Sequence, residues 1–210
     1  MKISNSLLVA ALIIVCLGGA ALAQQGSADT ASKRTPKFTD AGTAGCQVCH
    51  SGERMSLVAA TVHGNADDSN SPYAQQGCES CHGPGSFHVS RAHGGLGFRH
   101  VVKFGAVGPD RSSASEQVDA CLGCHGKSEG GWGTMLWKGT VHDKIGLACS
   151  NCHEIHSETL SVTDQKQQSE SCYACHGAQR ETHPRFEDKG IDIDRLNCTI
   201  CHDVHQLGKG

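Results

Sequence analysis

The sequence is poor in the large side chains that ordinarily build a protein core. Among 210 residues there are only 2 Trp, 2 Tyr and 5 Phe, and the 38% of hydrophobic residues includes 13 cysteines. A chain with so little bulky apolar surface cannot bury an ordinary core of useful size. Its 26 glycines favour loops and short helices over β-sheet.

The chain also lacks an excess of positive charge. Eighteen Lys and Arg residues stand against 21 Asp and Glu residues, giving a formal net charge of −3 at pH 7. This balance does not favour nucleic acid as a partner, and it suits a partner with a basic docking patch.

Cysteine is abundant and regularly spaced. The pattern Cys-x-x-Cys-His occurs six times, and these are called motifs 1 to 6: Cys46–His50, Cys78–His82, Cys121–His125, Cys149–His153, Cys172–His176 and Cys198–His202. This pattern attaches c-type haem. Two thiols form thioethers with one porphyrin, and the next histidine becomes the proximal iron ligand. The sequence therefore predicts six covalently bound haem c groups, which makes the chain a hexahaem cytochrome c.

The predicted haem residues follow directly from the motifs. The thioether cysteines are Cys46, Cys49, Cys78, Cys81, Cys121, Cys124, Cys149, Cys152, Cys172, Cys175, Cys198 and Cys201. The proximal ligands are His50, His82, His125, His153, His176 and His202. Paired cysteines also form zinc sites or disulfides, but neither requires a histidine directly after all six pairs.

Eight further histidines lie outside the motifs. Six of them occupy equivalent places in a threefold repeat, in which each unit holds two motifs that are each followed by one histidine. These predicted distal ligands are His63, His88, His142, His156, His183 and His205. They supply a second axial histidine for every haem, whereas His93 and His100 fall outside the repeat and are expected to be surface or hydrogen-bonded residues and not ligands. With 3 methionines in the chain, methionine ligation is a minor option.

The repeat divides the chain into segments. We expect a cleaved signal peptide at 1–23, an N-terminal extension at 24–45, dihaem modules 1, 2 and 3 at 46–92, 121–160 and 161–210, and a linker at 93–120. The segment 83–120, which has no motif, carries Arg91, Arg99, Lys103 and Arg111, which either pair with haem propionates or are solvated. Ser115 and Glu116 predict the start of the helix that carries motif 3.

Residues 1–23 predict export. Lys2 precedes an apolar stretch at 7–17, and Ala21-Leu22-Ala23 forms a small-residue ending typical of a cleavable secretory signal. A membrane anchor is disfavoured because two glycines interrupt a short apolar run, and lipid attachment at Cys16 is disfavoured by the valine before it. The expected location is the periplasm, with outer-membrane association or an extracellular location left open.

Haem supplies the missing core in this interpretation. There are roughly 31 residues of mature chain per haem, so we expect a multihaem cytochrome c fold: mostly irregular, with short α-helices wrapped around a haem core and little or no β-sheet. The chain is not expected to fold without haem. A histidine that follows its own motif by three residues, as His156 and His205 do, is expected to reach a neighbouring haem.

Longer phrases carry a family resemblance. Cys78-Glu-Ser-Cys-His-Gly-Pro-Gly-Ser-Phe-His88 and Trp137-Lys-Gly-Thr-Val-His142 resemble the first six haem sites of the periplasmic decahaem cytochromes of the DmsE/MtrA type. That resemblance implies a continuous chain of haems, reduced by a quinol-oxidising inner-membrane cytochrome in anaerobic respiration. The sequence is also similar to the pentahaem electron donor of nitrite reductase, which implies a soluble shuttle.

Two classes of function remain in view. The leading hypothesis is an electron carrier with no catalytic residues, working with other multihaem cytochromes. The alternative is a terminal reductase of nitrite, hydroxylamine or a sulfur oxyanion, which needs one haem with an open distal position. The pentahaem nitrite reductases mark that haem with Cys-x-x-Cys-Lys, and this chain has no such motif. A conduit in an outer-membrane porin or a subunit of a haem filament would keep the carrier role and change the partners.

Overall fold

Each Cys-x-x-Cys-His motif forms a turn of helix. In motifs 1, 2, 4 and 6 the histidine amide donates a hydrogen bond to the carbonyl of the first cysteine, at 2.8–3.0 Å. Motifs 3 and 5 form the ends of longer helices. Residues i, i+3 and i+4 share one face of a helix, so both thiols and the imidazole project from the same side of each turn.

The computed structural model describes residues 35–92, 101–105, 109–126, 135–157 and 162–205. Its α-helices are α1 (Gly42–Gln47), α2 (Glu53–Ser56), α3 (Pro72–Gln76), α4 (Glu79–His82), α5 (Ser86–Ala92), α6 (Ala114–His125), α7 (Val141–Lys144), α8 (Gln165–His176) and α9 (Gln179–Thr182). Turns of 3-10 helix span Leu57–Ala60, Cys149–Asn151, Glu187–Lys189, Ile193–Arg195 and Cys198–Ile200. Only α6 and α8 among these reach 12 residues.

The described ranges contain almost no β-structure. Their one β-type pairing is an isolated antiparallel bridge between Phe186 and Ile191. Short helices joined by irregular segments confirm the fold class predicted from the sequence. Pro36–Gly210 forms one compact unit, and no helix in the described part is long and apolar enough to span a membrane. The predicted signal peptide lies outside the described residues, and the module boundaries stay a prediction.

Both long helices begin at a side-chain cap. Ser113 accepts a hydrogen bond from the amide of Glu116, whose carboxylate accepts one from the Ser113 amide at 2.9 Å. Asp164 caps α8 by accepting from the amide of Gln167 at 2.9 Å. Helix α6 therefore begins at Ala114, one residue before the predicted start, because Ser113 has the three-residue spacing to Glu116 that a capping box needs.

The buried apolar core is small. Within the described ranges the buried hydrophobic residues are Val118, Trp137 and Ala148. Eight large hydrophobic residues are exposed: Phe38, Val48, Val62, Leu136, Val141, Ile145, Ile191 and Ile200. Half of these eight immediately precede a motif cysteine or a predicted distal histidine. The polypeptide alone thus leaves apolar surface beside the predicted haem sites.

A buried amide joins the two motifs of module 2. The side chain of Gln117 in α6 is fully buried. Its Nε2 donates to the carbonyls of Gly105 and Ser112, at 3.1 and 2.9 Å. Its Oε1 accepts from the amide of Gly105 and from the hydroxyl of Ser150, which follows the first cysteine of motif 4. One side chain therefore ties α6, the linker and the next motif together.

Module 3 repeats this arrangement. Gln168 in α8 is buried, and its Nε2 donates to the carbonyl of Val162 at 2.7 Å. Its Oε1 accepts from the amide and the hydroxyl of Thr199, which follows the first cysteine of motif 6. Each glutamine lies four residues before the first cysteine of its module. The same contact is therefore made twice by equivalent residues.

Replacing Gln117 by leucine should lower the free energy of unfolding by about 2–4 kcal/mol, because several buried polar groups lose their partner together. Urea unfolding of the haem-loaded protein, followed by near-ultraviolet circular dichroism, measures this change. Replacement of the exposed Gln75 in α3 by leucine is the matched control, with an expected change below about 0.5 kcal/mol. Equal effects of the two substitutions would contradict the conclusion that the hydrogen bonds of Gln117 stabilise the fold.

Candidate haem-binding sites

The twelve predicted axial histidines lie in six pairs. Their ring centroids are separated by 6.2 Å for His50–His88, 6.4 Å for His82–His156, 5.9 Å for His125–His63, 6.0 Å for His153–His205, 6.2 Å for His176–His142 and 6.0 Å for His202–His183. Every pair joins one motif histidine to one predicted distal histidine. Each of the twelve is used once in this set.

These separations match the spacing that one iron imposes on two axial imidazoles. A metal–imidazole bond is about 2.0 Å long and the bonding nitrogen lies about 1.2 Å from its ring centroid, so two such rings stand about 6.4 Å apart. The observed range of 5.9–6.4 Å lies close to this value. Together with the exposed apolar side chains next to the motifs, the pairs fit a haem with two histidine ligands.

The pairs cross the module boundaries. His63 of module 1 lies against His125 of module 2, while His156 of module 2 lies against His82 of module 1. Modules 2 and 3 exchange histidines in the same way, through the pairs His153–His205 and His176–His142. The first and last pairs, His50–His88 and His202–His183, stay within one module. The predicted modules therefore contribute histidines to one another's candidate sites.

Successive motifs are also neighbours in space. Within each module the first cysteines of the two motifs lie close enough for one thiol to shift the pKa of the other: Cys78 raises the pKa of Cys46, Cys149 raises that of Cys121, and Cys198 raises that of Cys172. Between modules the second cysteines are close: Cys81 to Cys124, and Cys152 to Cys175. Contacts between α4 and α6, between α6 and Cys149–Asn151, and between α8 and Cys198–Ile200 follow the same order. Motifs 1 to 6 thus form a linear series.

Two family profiles and one curated relative match this chain. A family profile described as "Cytochrome c-type protein NrfB-like" matches residues 78–165, and one described as "Cytochrome c3" matches residues 141–209. "Multiheme cytochrome MtrA" of Shewanella baltica (strain OS185) is 28% identical over 169 residues, which cover 80% of this chain and 47% of that protein. The chain is a multihaem c-type cytochrome. Covalently bound haem c is its cofactor, and it spans about half the length of the curated relative it matches.

The two resemblances read from the sequence, to the DmsE/MtrA type and to the pentahaem electron donor of nitrite reductase, are confirmed by these matches. The two family profiles together include motifs 2 to 6 of the cytochrome. The match to MtrA extends over four-fifths of the chain. The number of haems and the identity of the axial ligands rest on the motifs and on the ring pairs.

Backbone carbonyls orient several imidazoles of the cytochrome. The Nδ1–H of His82 donates to the carbonyl of Val102 at 2.7 Å, and that of His156 donates to the carbonyl of Arg54 at 3.1 Å. His183 makes the same bond to the carbonyl of Pro184 at 2.8 Å. A carbonyl can only accept, so Nδ1 carries the proton and Nε2 keeps the lone pair that binds a metal.

Burial keeps further imidazoles in the form that binds metal. Burial lowers the pKa of His63, of His82 and of His153, and neighbouring histidines lower each of them further. For His82 the bond to Val102 opposes this shift in pKa. Only the neutral imidazole offers a lone pair to iron, so the lowered pKa values favour ligation at neutral pH.

The sequence did not reveal several residues that surround these sites. Val102 receives the Nδ1 bond of His82 and donates its own amide to the His82 carbonyl at 2.8 Å. The ring of Phe104 lies edge-on to His82, with centroids 5.3 Å apart. Trp137 stacks on His142 at 6.3 Å and also lies 6.3 Å from His205. No spacing rule marks these residues, although the equivalent positions of Gln117 and Gln168 are a signal that a repeat alignment could have found.

Some predicted features lie outside the described residues. His93, His100, Arg99 and Cys16 are among them, as is the side chain of Arg91. Lys103 and Arg111 are described, and their pairing with haem propionates stays a prediction. The twelve motif cysteines are free of disulfides.

Proposed function

We propose that the protein is a hexahaem electron carrier in which every iron has two histidine ligands. The observation that supports this most strongly is the set of six ring pairs at 5.9–6.4 Å, each formed by one motif histidine and one histidine of the repeat. The assigned ligand pairs are His50/His88, His82/His156, His125/His63, His153/His205, His176/His142 and His202/His183. When bound, each haem supplies a centre that takes up and releases one electron.

The side chains of the chain suit transfer better than catalysis. Two imidazoles would occupy both axial positions of an iron bound at each site, which would leave no coordination position for a substrate. The thioether cysteines would fix each ring, and the closeness of cysteines from successive motifs, which shift one another's pKa, supports sites arranged in series. Carbonyl acceptors such as Val102 and Arg54 fix the imidazole orientation and strengthen the ligand field of the iron.

The setting that we propose is anaerobic respiration in the periplasm, reached through the signal at 1–23. Other multihaem cytochromes are the expected partners, with a quinol-oxidising inner-membrane cytochrome as electron donor. The similarity to MtrA and to the NrfB-like profile supports this kind of partner. Haem propionates make the loaded protein more acidic than its sequence, which favours brief encounters with a basic docking surface. Insertion into an outer-membrane porin and assembly into a filament are two further arrangements compatible with the same carrier role.

The intact protein should carry six haems and exchange electrons without turning over a substrate. Its mass after acid–acetone extraction should equal the cleaved polypeptide plus six haems. The oxidised protein should give only low-spin ferric signals by electron paramagnetic resonance, and the reduced protein should reoxidise rapidly with another multihaem cytochrome. Nitrite, hydroxylamine and dimethyl sulfoxide should give no saturable turnover. A stoichiometric high-spin haem together with substrate-dependent turnover would favour a terminal reductase instead.

A further inference from the structure

Motif 2 contains a buried carboxylate that has no role in the carrier function proposed above. Glu79 follows the first cysteine of motif 2 and is only 5% exposed. Its two oxygens accept from the amide of Thr39 at 3.0 and 3.1 Å, from the hydroxyl of Thr39 at 2.9 Å and from the amide of Gly85 at 2.6 Å. Every one of these partners donates, which matches an ionised carboxylate, an acceptor only.

This charge has no cationic partner among the described residues. The ion pairs within the described ranges join Arg54 to Glu154, Lys138 to Asp119, Arg180 to Glu170 and Arg185 to Asp194, and none includes Glu79. The equivalent positions of motifs 4 and 6 carry the neutral residues Ser150 and Thr199. The pKa of the Cys46 thiol is raised by burial, by the neighbouring Cys78 and also by the charge of Glu79. The electrostatic field of Glu79 therefore reaches motif 1.

The imidazoles of the same site are strongly polarised. Both members of the pair His82–His156 donate Nδ1–H to a backbone carbonyl, through Val102 and Arg54. A hydrogen bond of this kind makes an imidazole a stronger donor to its metal. Because ferric iron carries one more positive charge than ferrous iron, stronger donors and a buried carboxylate both stabilise the ferric state.

The imidazoles of the adjacent site, at motif 3, are not polarised in this way. In the pair His63–His125 both Nδ1 atoms are buried and neither has a hydrogen-bond partner. These imidazoles are therefore not polarised by an acceptor, and their buried surroundings disfavour additional positive charge on iron. The two sites are neighbours, since α4 contacts α6 and Cys81 is close to Cys124.

We propose that motif 2 holds the haem of lowest reduction potential in the chain and that the haem of motif 3 has a higher potential. The low potential at motif 2 is set by the buried carboxylate of Glu79 and by the carbonyls of Val102 and Arg54. The proposal rests on the carrier function above. With haem bound at both sites, a ferrous iron held by His82 and His156 would lose one electron to a ferric iron held by His125 and His63, and no bond would form or break. This difference in reduction potential favours electron transfer from motif 2 in module 1 to motif 3 in module 2.

Glu79→Gln tests the proposal in the fully haem-loaded protein. The substitution keeps the size of the side chain and removes its charge. In a spectroelectrochemical titration, the lowest of the six potentials should shift upward by more than any other. Glu53→Gln is the matched control, because Glu53 is an exposed carboxylate three residues after His50, and it should leave all six potentials in place. Glu79→Asp keeps a carboxylate and should leave the lowest potential closer to its original value than Glu79→Gln does.

A second measurement on the unmodified protein covers the case in which Glu79→Gln fails to fold. Nuclear magnetic resonance can identify the haem of motif 2 through its proposed ligand His82, whose ring lies beside that of Phe104. During stepwise reduction this haem should be the last to become ferrous. The inference would be overturned if the protein has six low-spin haems but motif 2 is reduced early, or if Glu79→Gln leaves the potentials unshifted. Either result would leave the carrier function standing. A lower haem count or a high-spin centre in the unmodified protein would overturn the carrier function itself.

Discussion

Replacing His142 by alanine should convert one of the six irons from low-spin to high-spin. His142 lies 6.2 Å from His176, between ring centroids, and the proposed iron loses one of its two axial imidazoles. Alanine leaves an open coordination position that carbon monoxide can occupy. We expect a high-spin ferric signal of one iron per chain by electron paramagnetic resonance, and binding of one carbon monoxide per reduced chain. The unmodified protein should bind none.

His93→Ala is the control for this prediction, since His93 falls outside the repeat. It should leave all six irons low-spin. A high-spin signal from His93→Ala, with none from His142→Ala, would show that the alignment of the repeat is wrong.

Double substitutions test the pairing itself. His142 and His176 are assigned to one iron, so replacing both by alanine should leave five low-spin irons. Replacing His142 and His153 by alanine affects two irons in this assignment and should leave four. His153 belongs to the motif that follows His142 most closely in sequence, so a count of five for this second variant would assign His142 to motif 4.

Production of the chain without covalent haem should abolish its stable fold. Within the described ranges only three hydrophobic residues are buried, and most helices have seven residues or fewer. Isolated helices shorter than about 12–15 residues are marginal in water, so these depend on packing against another surface. Residues 24–210, produced where haem is not attached, should lose most of the helical circular dichroism signal of the haem-loaded protein.

Heating distinguishes the two forms. The haem-loaded chain should unfold in a cooperative transition, while the haem-free chain should give a gradual change with no midpoint. A cooperative transition of the haem-free chain would mean that the polypeptide has a core independent of haem.

Much of this cytochrome could be predicted from short stretches of sequence. The positions of cysteines and histidine within each motif follow from one turn of helix, so the motif alone indicates the attachment chemistry and the proximal ligand. The 26 glycines predicted loops and short helices with little β-structure, which the described residues confirm. The start of α6 was displaced by one residue, because the decisive cap came from Ser113 and not from Ser115. The repeat identified six further histidines as candidates.

The tertiary structure decided which residues meet. His156 reaches His82 in another module, and its orienting acceptor, the carbonyl of Arg54, lies 102 positions away in sequence. The same holds for Glu79, whose charge is held by the amide and hydroxyl of Thr39, 40 positions earlier. A local pattern specifies the chemistry that a residue can perform, because that chemistry depends on neighbours within one helical turn. It does not specify partners from distant segments, because those contacts depend on how short helices and irregular loops pack around one another.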